Sequence, residues 1–309
     1  MQNDAEAAAA RAAASEIAGF MALASIEATL PSDQEIDQLA GALRPGTRVF
    51  LSALPKRPAA RLVEASCRLR AAGLDPCPHL AVRNFEREED LVAFVRACVE
   101  EAGVRAMLVI AGDRDRPAGP FCNSVELIER GLPHAIGIDE VTVAGYPDGH
   151  PRLCRQEVRQ ALLRKQRVLD GAAARLDVAA QFCFATDAID AWLRELRADG
   201  FGGTVRIGIA GPANVQTLLR YAARCGVRTI GRTLLGQGMA VPRLIVEHSP
   251  ERQVRDLAAL RAAGDVGDIR PHFFSFGGFL RTAAWIAAVQ SGRFDVAPAG
   301  TGFTVTPPA

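Results

Sequence analysis

Short apolar runs alternate with longer amphipathic stretches along nearly the whole chain. Eight buried strands that alternate with helices over about 250 residues are typical of a (β/α)8 barrel. We therefore predict an α/β protein of the TIM-barrel class. The predicted strands span residues 20–27, 48–54, 75–82, 105–112, 135–147, 176–184, 204–211 and 268–276.

The same pattern predicts how the chain is organised. We expect a helical arm at residues 1–17, followed by one barrel domain over 18–309. The tail at 298–309 is rich in Pro and Gly and is predicted to be irregular. Three glycines in 228–246 argue against one regular helix there. Helices are predicted at residues 57–72, 86–102, 152–172, 187–198, 214–225 and 279–290.

Composition narrows the class of protein. Of 309 residues, 49% are hydrophobic and 23% are charged, which describes a well-packed globule. A net charge of +1 indicates neither nucleic acid nor an anionic membrane as a partner. No apolar run approaches the roughly 18 residues needed to cross a bilayer. Because the amino terminus lacks a secretory signal and the seven cysteines form no CxxC pair, we expect a cytoplasmic protein with reduced thiols.

Polar residues at the ends of the predicted strands are the site candidates, because barrels of this class place their chemistry there. Glu27 ends the first strand, where partial burial would favour its protonated form and suit a general acid. A salt-bridged structural role is the alternative. His79 on the third strand is either a ligand contact or a hydrogen-bonded interior residue. Gly112 permits close backbone approach, so Asp113 is expected to project into the barrel mouth unless it belongs to an ordinary solvated loop.

The loop after the fifth predicted strand is the most informative short segment for the prediction of a site. Residues 144–151 contain two Gly and two Pro, which fix a tight loop, and they carry Tyr146, Asp148 and His150. Gln181 ends the sixth strand and offers both a donor and an acceptor to a heterocycle edge; a buried Gln satisfied by the backbone is the alternative. Metal spacings, a Walker A loop and a strand–GxGxxG–helix signature are absent from the sequence, so no metal site is predicted.

Taken together, these strand ends resemble the methylenetetrahydrofolate reductase family. The resemblance runs from about residue 20 to 290 in family order, and its most specific parts are the Gly-His-Pro loop and the Gln181–Phe182 pair. The residues that carry it are Ser25-Ile26-Glu27, Pro78-His79-Leu80, Gly112-Asp113, residues 144–151, Leu162 with Lys165, and Gln181-Phe182-Cys183-Phe184.

The resemblance implies a barrel that reduces 5,10-methylenetetrahydrofolate to 5-methyltetrahydrofolate, with hydride passing from NADH or NADPH through FAD. It assigns to Glu27 the proton for the leaving nitrogen, and to Asp113 the stabilisation of the cationic iminium. Gln181, Asp113 and Phe184 would bind the folate. Self-association is also implied, as is common in such barrels. The implied cofactor-lining residues are His79, Gly112, Asp113, Tyr146, His150, Arg164 and Lys165, the last two near its phosphates.

Several positions depart from the family pattern. Ala111 stands where Arg often precedes Gly-Asp, and Val158 and Ala161 stand where polar cofactor contacts are common. Residues 276–278 replace a segment that often carries a substrate-binding Arg. These losses favour weaker flavin binding or a divergent, flavin-independent reductase.

Two further alternatives belong to other classes. A folate-binding barrel without hydride transfer is one, and the retained Glu27 argues against it because pure binding needs no acid there. A different barrel enzyme such as an aldolase is the other. The chain has only two lysines, Lys56 and Lys165, and neither is well placed for a Schiff base. The sequence leaves open NADH or NADPH, and whether the product serves methionine synthesis or a demethylation pathway.

Overall fold

Eight parallel strands close into a barrel and alternate with helices, which confirms the predicted (β/α)8 class. The chain is represented by a computed structural model, which describes residues 2–54, 57–172, 174–225, 227, 247–276, 278–297 and 302–306. The strands, in chain order, are β1 (Ser25–Ala28), β2 (Arg48–Leu51), β3 (Asp75–Ala81), β4 (Ala106–Ile110), β5 (Glu140–Gly145), β6 (Arg175–Ala180), β7 (Val205–Ala210), β8 (Ala213–Asn214), β9 (Glu247–His248), β10 (Ile269–Phe274), β11 (Phe294–Val296) and β12 (Phe303–Val305).

The barrel runs in the order β1-β10-β7-β6-β5-β4-β3-β2, and two antiparallel pairs, β8 with β9 and β11 with β12, lie outside it. Within the described ranges, no helix is both long enough and apolar enough to cross a membrane. The helices are α1 (Gln2–Met21), α2 (Asp33–Ala42), α3 (Ala60–Ala71), α4 (Glu88–Glu100), α5 (Ser124–Glu129), α6 (Leu132–Ala135), α7 (Arg155–Gly171), α8 (Thr186–Ala198), α9 (Val215–Cys225), α10 (Glu251–Ala263) and α11 (Phe279–Gln290).

Internal packing divides the chain into two units. The first unit comprises residues 1–26, 146–151 and 180–309, and the second comprises 27–145 and 152–179. The assignment of an arm at 1–17 and a single barrel domain at 18–309 stays a prediction.

Buried charges occupy the amino-terminal ends of strands in the second unit. Glu140, at the start of β5, has a side chain only 4% exposed and accepts hydrogen bonds from Arg48 and Arg175. Arg48 also donates to Asp75 across 2.8 Å. A buried carboxylate is tolerated only when it is paired, and residues at this end of a barrel serve stability rather than catalysis. The apolar layer beside these charges consists of Phe50, Cys77, Ala106, Leu108 and Ala179.

Helix α1 of the first unit extends further than predicted. Ile17, Phe20 and Met21 are completely buried, and α1 packs mainly against α10. The predicted start of the first strand at residue 20 is therefore wrong, because Phe20 and Met21 belong to the apolar face of a helix and β1 begins at Ser25.

A single guanidinium joins several turns of the first unit. Arg197, at the end of α8, donates to the carbonyl oxygens of Phe201, Gly203 and Val266, each across 2.8 Å. It also donates to the carbonyl of Asp268 across 3.3 Å. These bonds satisfy backbone acceptors in the turns that surround β7 and precede β10.

Three other boundaries differ from the sequence prediction. Residues 132–135 form α6, so the fifth strand is shorter than the predicted 135–147. Helix α5 was not predicted and begins after Asn123, whose side chain accepts from two backbone amides. The predicted irregular tail is wrong at β12, where Phe303 is 4% exposed and packs against Phe294. The segment 228–246 lies outside the described residues.

Candidate functional site

Glu27 is held by a hydroxyl in the second unit. Its position on β1 alternates with the completely buried Ile26, and its side chain is partly buried. Ser52 Oγ, one residue beyond β2, donates to Glu27 Oε1 across 2.5 Å. Thr29 Oγ1 donates in turn to Ser52 Oγ across 3.3 Å. A carboxyl group fixed in this way can present its second oxygen, and the proton it carries, in one direction.

Sequence reasoning missed Ser52. The only available signal was its place directly after a predicted apolar strand, and one serine at such a position is too common to be informative. Its importance comes from the pairing of β1 and β2 as barrel neighbours, which brings residues 25 positions apart into hydrogen-bond contact.

His79 lies inside β3 and is only 7% exposed. Its ring contacts the edge of Phe50, with the ring centroids 6.4 Å apart. A cavity of about 320 Å³ borders both His79 and Ser52, so the second unit brings these two side chains to a common space at the carboxyl ends of β2 and β3. Ligand sites begin at about this size.

Gly112 and Asp113 follow β4 directly. Gly112 has φ of +94°, and a Cβ there would lie 3.0 Å from the Cβ of Ala81, so glycine is required for the close approach of the ends of β3 and β4. Asp113 is exposed to solvent. Neither residue lines the 320 Å³ cavity.

The two predicted phosphate-binding cations on α7 have different surroundings. Arg164 makes a bidentate ion pair with Glu129 of α5, with distances of 2.8 and 2.7 Å. Lys165 is only 8% exposed, and burial lowers its pKa to about 8. Lys165 makes no ion pair with any residue in the described ranges. It is therefore a buried cation, whereas the charge of Arg164 is already neutralised.

In the first unit, the loop after β5 brings two predicted cofactor residues together. The Tyr146 and His150 rings pack edge to face with centroids 4.6 Å apart. Gly149, at φ of +87°, closes the turn by donating its amide to the Tyr146 carbonyl across 3.1 Å. Burial raises the pKa of Tyr146, so its phenol stays protonated at neutral pH and can donate a hydrogen bond.

Gln181 follows β6, and its side-chain oxygen accepts the backbone amide of Phe182 across 3.1 Å. Its amide nitrogen makes no hydrogen bond within the described part of the chain, so the backbone satisfies only half of this side chain. Gly208 permits this arrangement, because a Cβ there would lie 2.4 Å from the Ala180 carbonyl oxygen and 2.6 Å from the Phe182 nitrogen.

Phe184 belongs to an aromatic cluster of the first unit. It is 7% exposed, and its ring packs edge-on against Phe182 at 5.8 Å and His248 at 5.5 Å. Burial lowers the pKa of His248 to about 4, so this imidazole is neutral at physiological pH. The packing leaves little of the Phe184 ring for a substrate, and its substrate role stays a prediction.

Among the residues that the structure describes, no group of three or more His, Cys, Asp or Glu side chains is placed to hold a metal ion. The described strand ends carry carboxyl, hydroxyl, amide, imidazole and phenol groups. That set suits hydrogen bonding and proton transfer to a polar heterocycle.

A family model described as methylenetetrahydrofolate reductase matches residues 59–235, which is more than half of the chain. The chain belongs to the methylenetetrahydrofolate reductase family. The matched segment contains every predicted site residue except Glu27, which precedes it. The matched range therefore spans the positions predicted for cofactor and folate binding, whose roles stay predictions, and it does not include Glu27.

Three of the solved structures similar to this chain are the following. An uncharacterized protein from Clostridium thermocellum, described as binding two copies of 5-methyl-5,6,7,8-tetrahydrofolic acid, is 9% identical with a TM-score of 0.55, over 87% of this chain and 93% of that one. Dihydropteroate synthase from Thermus thermophilus is 17% identical with a TM-score of 0.46, over 87% and 92%. A conserved protein of unknown function from Enterococcus faecalis is 11% identical with a TM-score of 0.48, over 89% and 67%.

Proposed function

We propose that this protein reduces 5,10-methylenetetrahydrofolate to 5-methyltetrahydrofolate with electrons from NADH or NADPH. The observation that carries the proposal is the Glu27 carboxyl group, held by Ser52 at 2.5 Å on a barrel strand of a methylenetetrahydrofolate reductase family member. A folate substrate follows from the family. The folate-binding structure from Clostridium thermocellum shares the fold and is compatible with that substrate class.

Glu27 would supply the proton of the reaction. Opening of the methylene bridge breaks a carbon–nitrogen bond, and the leaving nitrogen needs a proton to depart as an amine. The product of ring opening is an iminium cation, which accepts a hydride at carbon to become the methyl group. Ser52 would fix the direction of the Glu27 carboxyl group, so that its proton is delivered to one nitrogen rather than to water.

The remaining predicted substrate residues would bind and polarise the folate. Asp113 carries a negative charge that would stabilise the iminium, and its exposure in the structure means that substrate must cover it for that charge to act strongly. Gln181 would use its amide nitrogen on the pterin edge, since its oxygen already accepts the Phe182 amide. Phe184 would contribute an apolar edge.

The residues fit FAD only in part. Lys165 is a buried cation that a phosphate would neutralise, and Tyr146 retains its donor proton, so both suit a phosphorylated cofactor. Arg164 does not suit it, because a phosphate would have to displace Glu129 from a bidentate pair. FAD, when bound, supplies hydride relay between nicotinamide and folate. The roles of His79, Gly112 and His150 as its contacts remain part of the proposal.

The test compares Glu27→Gln with the wild-type protein. Loss of the acid should reduce turnover by about 10² to 10⁴, the usual contribution of general acid catalysis, while calorimetric affinity for 5-methyltetrahydrofolate stays within about threefold. Glu89→Gln is the matched control, because Glu89 is exposed on α4 and does not line the cavity. Full turnover by Glu27→Gln would overturn the role of Glu27.

A folate-binding barrel without hydride transfer is the second candidate. The observations that favour it are the solvent exposure of Asp113 and the neutralisation of Arg164 by Glu129. It predicts folate binding by the wild-type protein with no turnover from either NADH or NADPH, in the presence or absence of added FAD.

Location and assembly are proposed from the composition and from the family resemblance. We propose a cytoplasmic protein, because seven unpatterned cysteines suit a reducing compartment. Self-association is proposed from the family resemblance, and methionine synthesis is the proposed destination of the methyl group.

A further inference from the structure

Leu30 has a strained backbone close to the strand that carries Glu27. It is the only residue other than glycine with a positive φ in the described ranges, at +43°. A left-handed backbone brings the Cβ of an L-residue too close to the following carbonyl oxygen, and a bulky residue rarely adopts it. Leu30 lies three residues after Glu27, so its conformation determines where the chain goes at the carboxyl end of β1.

The segments on both sides of Leu30 fix its conformation. Before it, the backbone amide of Ser52 donates to the carbonyl oxygen of Ala28, the last residue of β1, across 3.0 Å. After it, the buried Pro31 leads into the capping box that begins α2. Because only two residues separate Ala28 from Pro31, a different φ at Leu30 would pull apart one of these connections. Backbone strain persists where the surrounding structure enforces it in this way, and it collects at functional sites.

Three side chains next to Leu30 form a chain of hydrogen bonds. Thr29 Oγ1 donates to Ser52 Oγ across 3.3 Å, and Ser52 Oγ donates to Glu27 Oε1 across 2.5 Å. A serine hydroxyl group has one proton and two lone pairs. Because the Thr29 proton occupies one lone pair of Ser52 Oγ, the single Ser52 proton is directed to Glu27. Thr29 therefore acts on the carboxyl group through Ser52.

The side chain of Leu30 contributes little that its neighbours do not also supply. It is half-buried and lines the 320 Å³ cavity together with Ser52. Other apolar side chains line the same cavity, among them Ala53, Leu54 and Leu62, so the apolar character of the wall does not depend on Leu30. The unusual property of Leu30 is its backbone, which places Thr29.

We propose that Leu30 is a positioning residue of the reductase, whose left-handed backbone, rather than its side chain, holds the Thr29 hydroxyl group on Ser52 and so aims the Glu27 carboxyl group. The inference rests on the proposed function, because the aim of Glu27 matters only if Glu27 delivers a proton. Proton delivery depends on geometry, and a displacement of about 1 Å can reduce a rate by about 10². The strain at Leu30 is then part of the active arrangement.

Two substitutions at Leu30 separate the backbone from the side chain. Isoleucine has the same atoms as leucine, but its branched Cβ makes a positive φ very unfavourable. Asparagine has a similar shape without the apolar character, and it tolerates a left-handed backbone. With NADH, FAD and 5,10-methylenetetrahydrofolate, Leu30→Ile should lower kcat about tenfold, and Leu30→Asn should keep it within about twofold of the wild-type value. Calorimetric affinity for 5-methyltetrahydrofolate should stay within about threefold in both variants.

Further variants test the route through Thr29. Leu260→Ile is the matched control and should leave kcat unchanged, because Leu260 is half-buried on α10 and has no positive φ. Thr29→Val should lower kcat by about five- to tenfold, and Thr29→Ser should restore it. Leu30→Ile should then lower kcat by less than about twofold when Thr29→Val is already present, because both changes interrupt the same chain of hydrogen bonds. Thr29 is exposed, so Thr29→Val should fold even if Leu30→Ile does not.

A kcat of Leu30→Ile that equals or exceeds that of Leu30→Asn would overturn the proposal, because the side chain rather than the backbone would then matter. Full kcat in Thr29→Val, or multiplied losses in the double variant, would also overturn it. These results beside wild-type turnover would refute only the positioning role, whereas no wild-type turnover would refute the reductase function. Deuterium exchange of the Ser52 amide would then still test the placement of Ser52. Exchange should be faster in Leu30→Ile and unchanged in Leu30→Asn, and equal rates in both variants would overturn that placement.

Discussion

Replacing Lys165 with Met should make the protein more stable at pH 7. Burial lowers the pKa of Lys165 from 10.5 to about 8, and no ion pair with a described residue offsets its charge. The unfolded chain therefore binds the proton more tightly than the folded protein does. A difference of about 2.5 pH units corresponds to about 3 kcal/mol. Met has a similar length and fills an apolar site without a charge.

The sign of the pH dependence follows from the lowered pKa. Stability is greatest above 10.5, where both states are neutral, and it is lost as pH falls through about 8. Urea unfolding should therefore show that Lys165→Met gains about 3 kcal/mol at pH 7 and less than about 1 kcal/mol at pH 10.

Arg167→Met is the matched control for this measurement, because Arg167 is exposed on the same helix. It should change the free energy of unfolding by no more than about 0.5 kcal/mol. The reasoning fails if Lys165→Met is no more stable than the wild-type protein at pH 7. It also fails if the gain is equal at both pH values, since packing rather than charge would then explain it.

Other contacts give four further predictions. Ser52→Ala should lower turnover by about tenfold, because the Glu27 carboxyl group loses the hydroxyl that fixes its direction, and Ser52→Thr should restore it; unchanged turnover in Ser52→Ala would contradict the role of this contact. Arg197→Met should cost about 3 kcal/mol in urea unfolding, since four backbone carbonyls lose a charged donor, and a loss below about 1 kcal/mol would show that water replaces it. Gly208→Ala should lower the free energy of unfolding by about 2 kcal/mol, as its Cβ would overlap backbone atoms; unchanged thermal unfolding would refute that overlap. Stability should fall between pH 6.5 and 4 because burial lowers the pKa of His248 to about 4. His248→Leu should lose less stability over that range, and an equal loss would contradict the role of this imidazole.

The barrel could be predicted because the alternation of apolar runs with amphipathic stretches is repeated along the chain. Eight apolar runs, each separated by an amphipathic stretch, constrain the architecture together even when single boundaries are wrong. The prediction that the first strand starts at residue 20 was wrong for a physical reason. Residues 20–24 are continuously apolar, and such a run fits the buried face of a helix as well as it fits a strand. Only the packing of α1 against α10 shows that Phe20 and Met21 are helical.

The types of residue at the candidate site could be predicted from the sequence, but the contacts between them could not. Glu27 could be identified from its place at a strand end, whereas its partner Ser52 depends on which strands are neighbours. The pairing of Arg164 with Glu129 joins residues 35 positions apart and has no local signature.

The most direct test of the proposed reaction uses NADH deuterated at C4 with 5,10-methylenetetrahydrofolate under anaerobic conditions. Mass spectrometry of the folate products follows the label, with and without added FAD. The proposed function predicts 5-methyltetrahydrofolate from the wild-type protein and far less from Glu27→Gln. Deuterium retained in the methyl group would indicate direct transfer, and solvent hydrogen in its place would indicate passage through a flavin. Folate binding without any 5-methyltetrahydrofolate from NADH or NADPH, even with FAD, would contradict the account and leave a folate-binding barrel.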